Sequence, residues 1–227
     1  MDIQLHYTEL GNGFPLILLH GNGENAGYFV HQMDYFSKKY RVIAIDTRGH
    51  GKSPRGDAPF TIDQFAEDLK AFLDKMGIQR AHILGFSDGG NIALTFALKY
   101  GSYVEKLILN GANLNPKGVK PHVQLPICIG YGIASFFALF ARGALPKKEL
   151  LGLMVNQPNI PCSKLSAVKA PTLVIVGDRD MIRDEHSRLI ADSLPNGVLT
   201  VIPGTHFIAN ESPDAFNQAV EMFLEKP

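Results

Sequence analysis

The sequence predicts an α/β fold, in which a mostly parallel central sheet is flanked by helices on both faces. Continuous apolar runs of strand length alternate along the chain with stretches of helical spacing, and this alternation favours parallel strands joined by helical crossovers. The 227 residues, 45% of them hydrophobic, suit one domain with a sizeable core. No internal repeat, low-complexity tract or linker interrupts the sequence.

The first half of the chain supplies the predicted elements in a regular order. Alternating residues predict a half-exposed edge strand, and continuous apolar runs predict strands buried on both faces. Thr61 and Gln64 fit a capping box at the start of a helix that Gly77 ends. The elements before that helix are an edge strand over 3–8, a buried strand over 14–19, a short helix over 28–40 and a buried strand over 41–46.

The second half repeats the pattern after a central strand and a tight turn near residue 87. The same apolar runs and helical spacings predict three more strands and three more helices. In chain order these are a helix to about residue 100, strands over 104–109 and 171–177, a helix over 184–194, a strand over 198–202 and a closing helix over 213–225.

Residues 114–168 do not follow this alternation and are predicted to be a short cap inserted into a core of residues 1–113 and 169–227. From Val123 to Ala141 the insertion carries no charged side chain, which raises the question of a membrane helix. Pro126, Gly130 and Gly132 interrupt the stretch, and its length is near the minimum for a span. We therefore expect a buried helix, or a lid over an apolar pocket.

Composition excludes several classes of partner and indicates a compartment. The chain has 22 basic and 22 acidic residues, so nothing favours nucleic acid, an anionic membrane surface or a highly charged substrate. The first residues show no signal peptide. The two cysteines, Cys128 and Cys162, could form a disulfide, but two free thiols in a reducing cytoplasm are the preferred interpretation.

The motif Gly85-x-Ser87-x-Gly89 lies between a predicted strand and a predicted helix. Such a turn holds its serine in a strained conformation, with the hydroxyl exposed above the sheet. Glycine is expected at 85 and 89 because a side chain at either position would collide with a neighbouring element. Ser87 is therefore the candidate nucleophile.

A serine hydroxyl needs an adjacent base, and the base needs an orienting acid. His206 directly follows the last predicted strand, so it should project from the strand ends where Ser87 lies. The acid should come from the loop after the strand over 171–177, which offers Asp178 and Asp180. Asp180 lies further round that loop and is the preferred partner. The other histidines are expected in Gly-rich turns (His20, His50), on exposed segments (His6, His31, His122, His186) or at a strand start (His82).

An oxyanion formed at Ser87 would need two N–H donors already aimed at it. One should be the amide of Asp88, at the N-terminus of the helix that follows the nucleophile. The other should come from the loop at residues 20–23, most plausibly from the amide of Asn22.

Taken together, these motifs resemble the α/β-hydrolase superfamily of esterases, peroxidases and carbon–carbon hydrolases, and the resemblance covers nearly the whole chain. It implies an α/β-hydrolase fold with a short helical lid, the triad Ser87, Asp180 and His206, and no cofactor or metal. The motifs, in order, are His20-Gly21, Asp46-x-Arg48-Gly49-x-Gly51-x-Ser53, Gly85-x-Ser87-x-Gly89-Gly90, Gly177-x-x-Asp180 and His206.

The resemblance also has limits. The cap is short for the family, and the N-terminal segment lacks one strand of the usual eight. The stretch Ser87-Asp88-Gly89-Gly90 is similar to that of valacyclovir-hydrolase-like members, which suggests that Asp88 binds the amine of an α-amino-acid ester. The alternative is that Asp88 only caps its helix.

Three functions follow as hypotheses. The first is a serine hydrolase that cleaves small carboxylic esters or related acyl bonds through an acyl-enzyme. The second is a cofactor-free carbon–carbon hydrolase or perhydrolase with the same triad. The third is a non-catalytic binder of a small apolar ligand, disfavoured because a pure binder has no need of a full triad. The expected partner is a small-molecule ester, with no nucleic acid and no membrane, and the sequence leaves the oligomeric state open.

Overall fold

A computed structural model describes residues 2–226 of the chain. Seven strands form one sheet in the order β1-β3-β2-β4-β5-β6-β7, and β1 is antiparallel to β3 while the other neighbouring pairs are parallel. This confirms the predicted fold class. The strands are β1 (Tyr7–Leu10), β2 (Phe14–Leu19), β3 (Tyr40–Ile45), β4 (Ala81–Phe86), β5 (Val104–Asn110), β6 (Thr172–Gly177) and β7 (Gly197–Ile202).

Helices cover both faces of the sheet, so a separate apolar cluster lies on each face. One cluster includes Leu69, Phe96 and Ile190, and the other includes Phe36 and Phe216. The helices are α1 (Val30–Phe36), α2 (Ile62–Lys75), α3 (Asp88–Lys99), α4 (Pro121–Phe137), α5 (Leu145–Asn156), α6 (Asp184–Ser193), α7 (Ile208–Glu211) and α8 (Pro213–Leu224). Because β4, β5, β6 and β7 run parallel to one another, their carboxyl ends share one edge of the sheet.

Two local predictions need correction. The edge strand is Tyr7–Leu10 rather than 3–8, because His6 bonds the turn after β3: its N–H donates to Ser53 Oγ at 2.8 Å and its C=O accepts from Asp46 N at 2.9 Å. The helix predicted over 28–40 is a 3₁₀ turn, Ala26–Phe29, followed by the shorter α1. The turn begins earlier than predicted because the Asn25 side chain caps it, accepting from Gly27 N.

The capping box of α2 forms only in part. Thr61 Oγ1 accepts from Gln64 N at 3.1 Å, as predicted. The Gln64 side chain, however, donates to Asp68 Oδ1 at 3.1 Å instead of returning to the helix start. The same carboxylate also pairs with the buried Arg48 guanidinium.

Between β5 and β6, the 114–168 segment forms a hairpin of two helices, α4 and α5, rather than a buried helix. Ala134 is the one buried residue of α4. The helix is also continuous through Pro126, Gly130 and Gly132, which the sequence suggested would break it. Packing against α5 outweighs the local cost of these residues. Within residues 2–226, no helix combines the length and the apolar character that crossing a bilayer requires.

Candidate active site

The turn between β4 and α3 holds Ser87 in an unusual backbone conformation. Its φ of 53° and ψ of −119° make it the one non-glycine residue with positive φ among those described. A Cβ at Gly85 would lie 2.1 Å from the carbonyl oxygen of Gly89, and one at Gly89 would lie 2.0 Å from that of Leu19. These contacts explain why both positions must be glycine. The close packing also holds Ser87 in its strained backbone conformation.

The loops after β6 and β7 bring Asp180 and His206 together. His206 Nδ1 lies 2.7 Å from Asp180 Oδ1, and both residues are buried, at 3% and 2% exposure. Asp180 Oδ1 also accepts from Ile182 N at 2.9 Å, which fixes the carboxylate. This arrangement can hold one imidazole tautomer and stabilise an imidazolium.

Asp178, the other carboxylate of this loop, lies apart from His206. Its Oδ1 accepts from Gly204 N at 2.9 Å, and its side chain is 53% exposed. The structure therefore places Asp180 against the imidazole, and Asp178 braces the neighbouring turn.

Phe86, which precedes Ser87, and Gly111, which follows β5, both lie against His206. The Phe86 ring lies 4.9 Å from the imidazole, and Ser87 N donates to the carbonyl oxygen of Asn110 at 2.8 Å. Gly111, the next residue, packs so closely that a Cβ there would lie 2.5 Å from His206 Cε1. Sequence reasoning missed Gly111, although its position directly after β5, at the strand edge that carries Ser87, was a usable signal.

The second imidazole nitrogen, Nε2 of His206, is buried and has no hydrogen-bond partner among the described residues. No hydrogen bond joins Ser87 to His206 within residues 2–226. Hydrogen bonds between a nucleophile and its base are often long without substrate and tighten when substrate binds. Nε2 is thus the atom free to take a proton from a group placed above the turn.

Two backbone amides are suited to bind an oxyanion. Asp88 is the first residue of α3, so its N–H is one of those that a helix leaves without a carbonyl partner. Asn22 N donates to no backbone or side-chain acceptor among the described residues. The Asn22 side chain instead bonds the 114–168 segment, with Nδ2 donating to the Leu150 carbonyl oxygen at 2.7 Å.

The Asp88 carboxylate is buried and only half satisfied. Its Oδ1 accepts from Asn91 Nδ2 at 3.1 Å, and its Oδ2 has no partner among the described residues. Asn91 in turn donates to Asn113 Oδ1 at 3.0 Å, so a chain of amides supports the carboxylate. Burial raises the pKa of Asp88 to about 6, against the opposing effects of the Asn91 and Asn22 side chains and of His206.

This geometry contradicts the interpretation of Asp88 as a helix cap. The α3 N-terminus has no side-chain capping bond, and the Asp88 carboxylate reaches a side-chain amide rather than a backbone N–H. The physical reason is the Asn91 amide one turn along, which competes for the carboxylate inside the protein.

Two histidines predicted to be exposed are not. His186 is buried, and its Nε2 accepts from Leu114 N at 3.0 Å, at the start of the 114–168 segment. His6 is half-buried, with Nδ1 2.9 Å from Asp46 Oδ2. Neither contact has a local sequence signal, because each joins residues far apart in the chain. His20 behaves as predicted: it bonds backbone at both nitrogens, and burial lowers its pKa to about 4.

The turn that follows β3 is structural. Asp46 Oδ1 accepts from Ala26 N at 2.7 Å and Asp46 Oδ2 from Lys52 N at 2.8 Å. Arg48 is fully buried between Asp68 and Asp2. Residues 2–226 contain no group of three or more His, Cys, Asp or Glu side chains that could hold a metal.

A cavity of about 390 Å³ opens beside the imidazole. Its lining combines the strand-end loops (Thr205, His206, Phe207) with the first turn of α4 (His122, Val123). A larger groove of about 570 Å³, between the α2 and α3 helices and residues 157–167, shares no lining residue with it. The smaller cavity is the one that reaches Asp180 and His206, whereas Ser87, Asp88 and Asn22 are not among the residues that line it.

Comparison with known proteins gives the family. A profile described as the alpha/beta hydrolase fold matches residues 15–154. The chain is 30% identical to the human serine hydrolase BPHL, over 98% of this chain and 84% of that protein. It is also 30% identical to a 2-hydroxy-6-oxononadienedioate/2-hydroxy-6-oxononatrienedioate hydrolase of Pseudomonas putida, over 99% and 93% of the two chains.

A solved structure agrees at the level of the fold. The enol-lactonase of Burkholderia xenovorans superposes with a TM-score of 0.82 at 23% identity, over 99% of this chain and 97% of that one. The profile covers most of β2, the strands β3 to β5 and the Ser87 turn, and the two relatives match 98% and 99% of this chain. The chain is an enzyme that belongs to the α/β-hydrolase family.

Proposed function

We propose that this hydrolase is a serine esterase that cleaves small carboxylic esters through an acyl-enzyme. The observation that carries the proposal is the buried Asp180–His206 pair at 2.7 Å, whose Nε2 has no partner among the described residues and whose ring lies 4.9 Å from that of Phe86, the residue before the strained Ser87. A pair with this geometry serves a nucleophile, and Ser87 is the nucleophile at this edge of the sheet.

The proposed reaction has two halves. Ser87 Oγ attacks the ester carbonyl while His206 Nε2 takes the hydroxyl proton, and Asp180 stabilises the imidazolium. The amides of Asn22 and Asp88 hold the oxyanion, and the alcohol leaves with the proton from His206. Water then attacks the acyl-enzyme by the same steps in reverse, which releases the acid and regenerates Ser87.

Asp88 supports a narrower substrate class, esters whose acyl part carries an amine. A buried carboxylate with one unpartnered oxygen is costly when ionised, and a substrate ammonium would supply the missing partner. Because the pKa of Asp88 is about 6, the carboxylate is ionised at neutral pH. The resemblance of the Ser87–Gly90 stretch to valacyclovir-hydrolase-like enzymes supports the same class.

The 114–168 segment acts as a cap in this proposal, and the core is made of residues 1–113 and 169–227. Support comes from the first turn of α4, which lines the cavity beside His206, and from the Asn22–Leu150 bond. We also retain a cytoplasmic location for this enzyme, which fits two cysteines that are both free thiols.

The decisive experiment is pre-steady-state hydrolysis of a p-nitrophenyl ester. A burst of p-nitrophenol equal to the enzyme concentration, followed by a slower steady rate, is the expected signature of an acyl-enzyme. Fluorophosphonate labelling should modify Ser87, and the Ser87→Ala variant should escape it. A wild-type enzyme that neither bursts nor labels would overturn the proposal.

The carbon–carbon hydrolase alternative remains the second candidate, because a relative of that named activity is 30% identical over nearly the whole chain. Relative rates on a p-nitrophenyl ester and on a vinylogous 2-hydroxy-6-oxo dienoate decide between the two. The non-catalytic hypothesis is set aside, since the two relatives named above are hydrolases.

A further inference from the structure

One face of the 114–168 hairpin is apolar and exposed. We define the α4 apolar face as seven side chains of α4 and the turn after it, each between 55% and 77% exposed. The steps of three and four residues between them place the α4 members on one side of the helix. They are Leu125, Ile129, Ile133, Phe136, Phe137, Leu139 and Phe140.

The opposite side of α4 is already occupied by α5. A Cβ at Gly152 of α5 would lie 3.3 Å from the Tyr131 ring, and Ala134 is buried. Gln124 Nε2 also donates to the Met154 carbonyl oxygen at 3.1 Å. The α4 apolar face therefore points away from the one element that packs closely on this helix.

The face is too large for an ordinary surface patch. Its three phenylalanines alone expose on the order of 300–400 Å², since each such side chain presents roughly 150–250 Å². With the four aliphatic side chains added, the area exceeds the few hundred Å² that monomeric soluble proteins usually leave in one patch. A surface of this kind marks an interaction site.

Charge identifies the partner. The 114–168 segment has six basic residues and one acidic residue, although the whole chain is neutral. The single carboxylate, Glu149, is already paired with Arg55 at 2.6 Å. Arg142, Lys147 and Lys148 directly follow the α4 apolar face in the chain, and no carboxylate of the described residues lies within 4 Å of their charged groups.

We propose that the α4 apolar face docks on an anionic phospholipid surface. Phenylalanine, leucine and isoleucine side chains would enter the headgroup and acyl boundary, while the flanking basic side chains meet lipid phosphates. A second copy of this chain is the poorer occupant, because a two-fold contact would oppose the basic residues of both copies. This docking reverses the expectation, drawn from the neutral net charge, that no membrane surface is a partner.

Docking would also place the candidate site at the lipid surface. Val123 and His122 line the cavity beside His206, and they lie within one helical turn of Leu125, the first residue of the face. This consequence rests on the proposed esterase function, and it favours amphiphilic esters as substrates. The docking itself does not depend on Ser87.

The test is co-sedimentation of the full-length protein with vesicles, either phosphatidylcholine alone or phosphatidylcholine with 30% phosphatidylglycerol. We expect binding to the anionic vesicles, weakened at least tenfold by 0.5 M salt. The double variants Phe136→Ser/Phe140→Ser and Arg142→Glu/Lys147→Glu should each weaken it at least tenfold. Met222→Ser, which removes a 67% exposed side chain of α8, is the matched control and should bind within twofold of wild type.

Two further measurements separate the alternatives. Hydrolysis of a water-soluble ester should stay within twofold of wild type in every variant, which shows that the fold persists and that docking is independent of chemistry. The proposal is overturned if the wild-type protein does not bind the anionic vesicles, or if it binds both vesicle types equally. It is also overturned if both double variants bind the anionic vesicles as tightly as wild type. Gel filtration showing a dimer that Phe136→Ser/Phe140→Ser dissociates, without vesicle binding, would assign the face to a second copy.

Discussion

The strand-end loops bury polar side chains, whereas the 114–168 segment exposes apolar ones. At the strand ends, the carboxylates of Asp88 and Asp180 and the imidazole of His206 are buried, each with at least one bond from the surrounding core. In the segment, phenylalanines such as Phe140 are exposed. The proposed chemistry thus lies on the core of the fold, where buried bonds can hold a geometry, and the proposed contact with a partner lies on the inserted part.

Several polar bonds join the two regions, in addition to the bond between His186 and Leu114. Asn22 Nδ2 donates to the Leu150 carbonyl oxygen, Lys120 Nζ donates to that of Asp180 at 2.6 Å, and Arg55 pairs with Glu149. Two of these bonds end on residues of the candidate site. Movement of the segment would therefore reach Asn22 and the Asp180 loop first.

The largest expected effect belongs to the strand-end region. Ser87→Ala should reduce kcat for ester hydrolysis on the order of 10⁶-fold, because the remaining groups cannot replace the nucleophile. Ser166→Ala, an exposed serine of the segment, is the control and should be silent. Full activity in Ser87→Ala would show that Ser87 is not the nucleophile, and the strand-end region would then no longer differ from the segment in its effect on activity.

The second effect distinguishes two carboxylates of one loop. Asp180→Asn should lower kcat roughly 10⁴-fold, since the amide cannot stabilise the imidazolium or hold its tautomer. Asp178→Asn should cost far less, because that carboxylate braces Gly204 and does not contact His206. Steady-state kinetics of both variants, with circular dichroism as a check on folding, decide the point. Equal losses would show that the loop as a whole, rather than Asp180, matters.

The third prediction makes the same substitution, glycine to alanine, once in each region. Gly111→Ala should reduce kcat about 10²-fold, because the new methyl group displaces the His206 ring by a fraction of an ångström or more. Gly132→Ala, at a helical position with open space around it, should leave activity unchanged and stabilise the helix by about 0.5–1 kcal/mol. Thermal unfolding and kcat are measured on both. A Gly111→Ala enzyme of normal activity would show that His206 is not held by this contact.

The fourth effect depends on pH through Asp88. Preference for phenylalanine benzyl ester over 3-phenylpropionate benzyl ester, as a ratio of kcat/KM, should rise about 30-fold as Asp88 ionises across its pKa of about 6. The ratio should be flat with pH in Asp88→Asn. A wild-type ratio near one at pH 7.5 would show that Asp88 does not recognise the amine and that the substrates are neutral esters.

Ionisation of Asp88 should also change the stability of the fold. It should lower the free energy of unfolding, whereas it raises the preference for the amino ester. The folded pKa of about 6 exceeds the ordinary value of 3.8, so the native state binds more protons than the unfolded state between these values. The free energy of unfolding should therefore fall as pH rises from about 4 to about 6, by up to roughly 3 kcal/mol from this group. Urea unfolding of wild type and Asp88→Asn measures the difference, and an identical pH dependence in both would contradict it.

The smallest effect tests how the segment is attached. Arg55 and Glu149 are about one-third exposed, so Glu149→Gln should change global stability by less than about 1 kcal/mol. Amide hydrogen exchange should nevertheless quicken in α5 and stay unchanged in β4 and α3. Uniform acceleration in all three would mean that the segment and the core unfold as one unit.

Sequence reasoning succeeded where a residue's surroundings are set by its near neighbours. The strand runs, the α2 cap at Thr61 and the two glycines around Ser87 follow from patterns within about five residues. It failed at contacts between distant residues, such as His186 with Leu114 or His6 with Asp46. It also failed for α4, because an uncharged stretch looks the same whether its apolar side is buried or exposed.

The sequence by itself determined the order of strands and helices, the strained turn at Ser87 and the acid and base positions that the chain could offer after β6 and β7. Those features are encoded in local periodicity, glycine placement and chain order. The tertiary structure decided that Asp180 rather than Asp178 meets His206, that Asp88 is buried beside Asn91 instead of capping α3, and that the apolar side of α4 faces outward. Each of these outcomes depends on which distant residues the sheet brings together, and on competition among several partners that no single stretch of sequence contains.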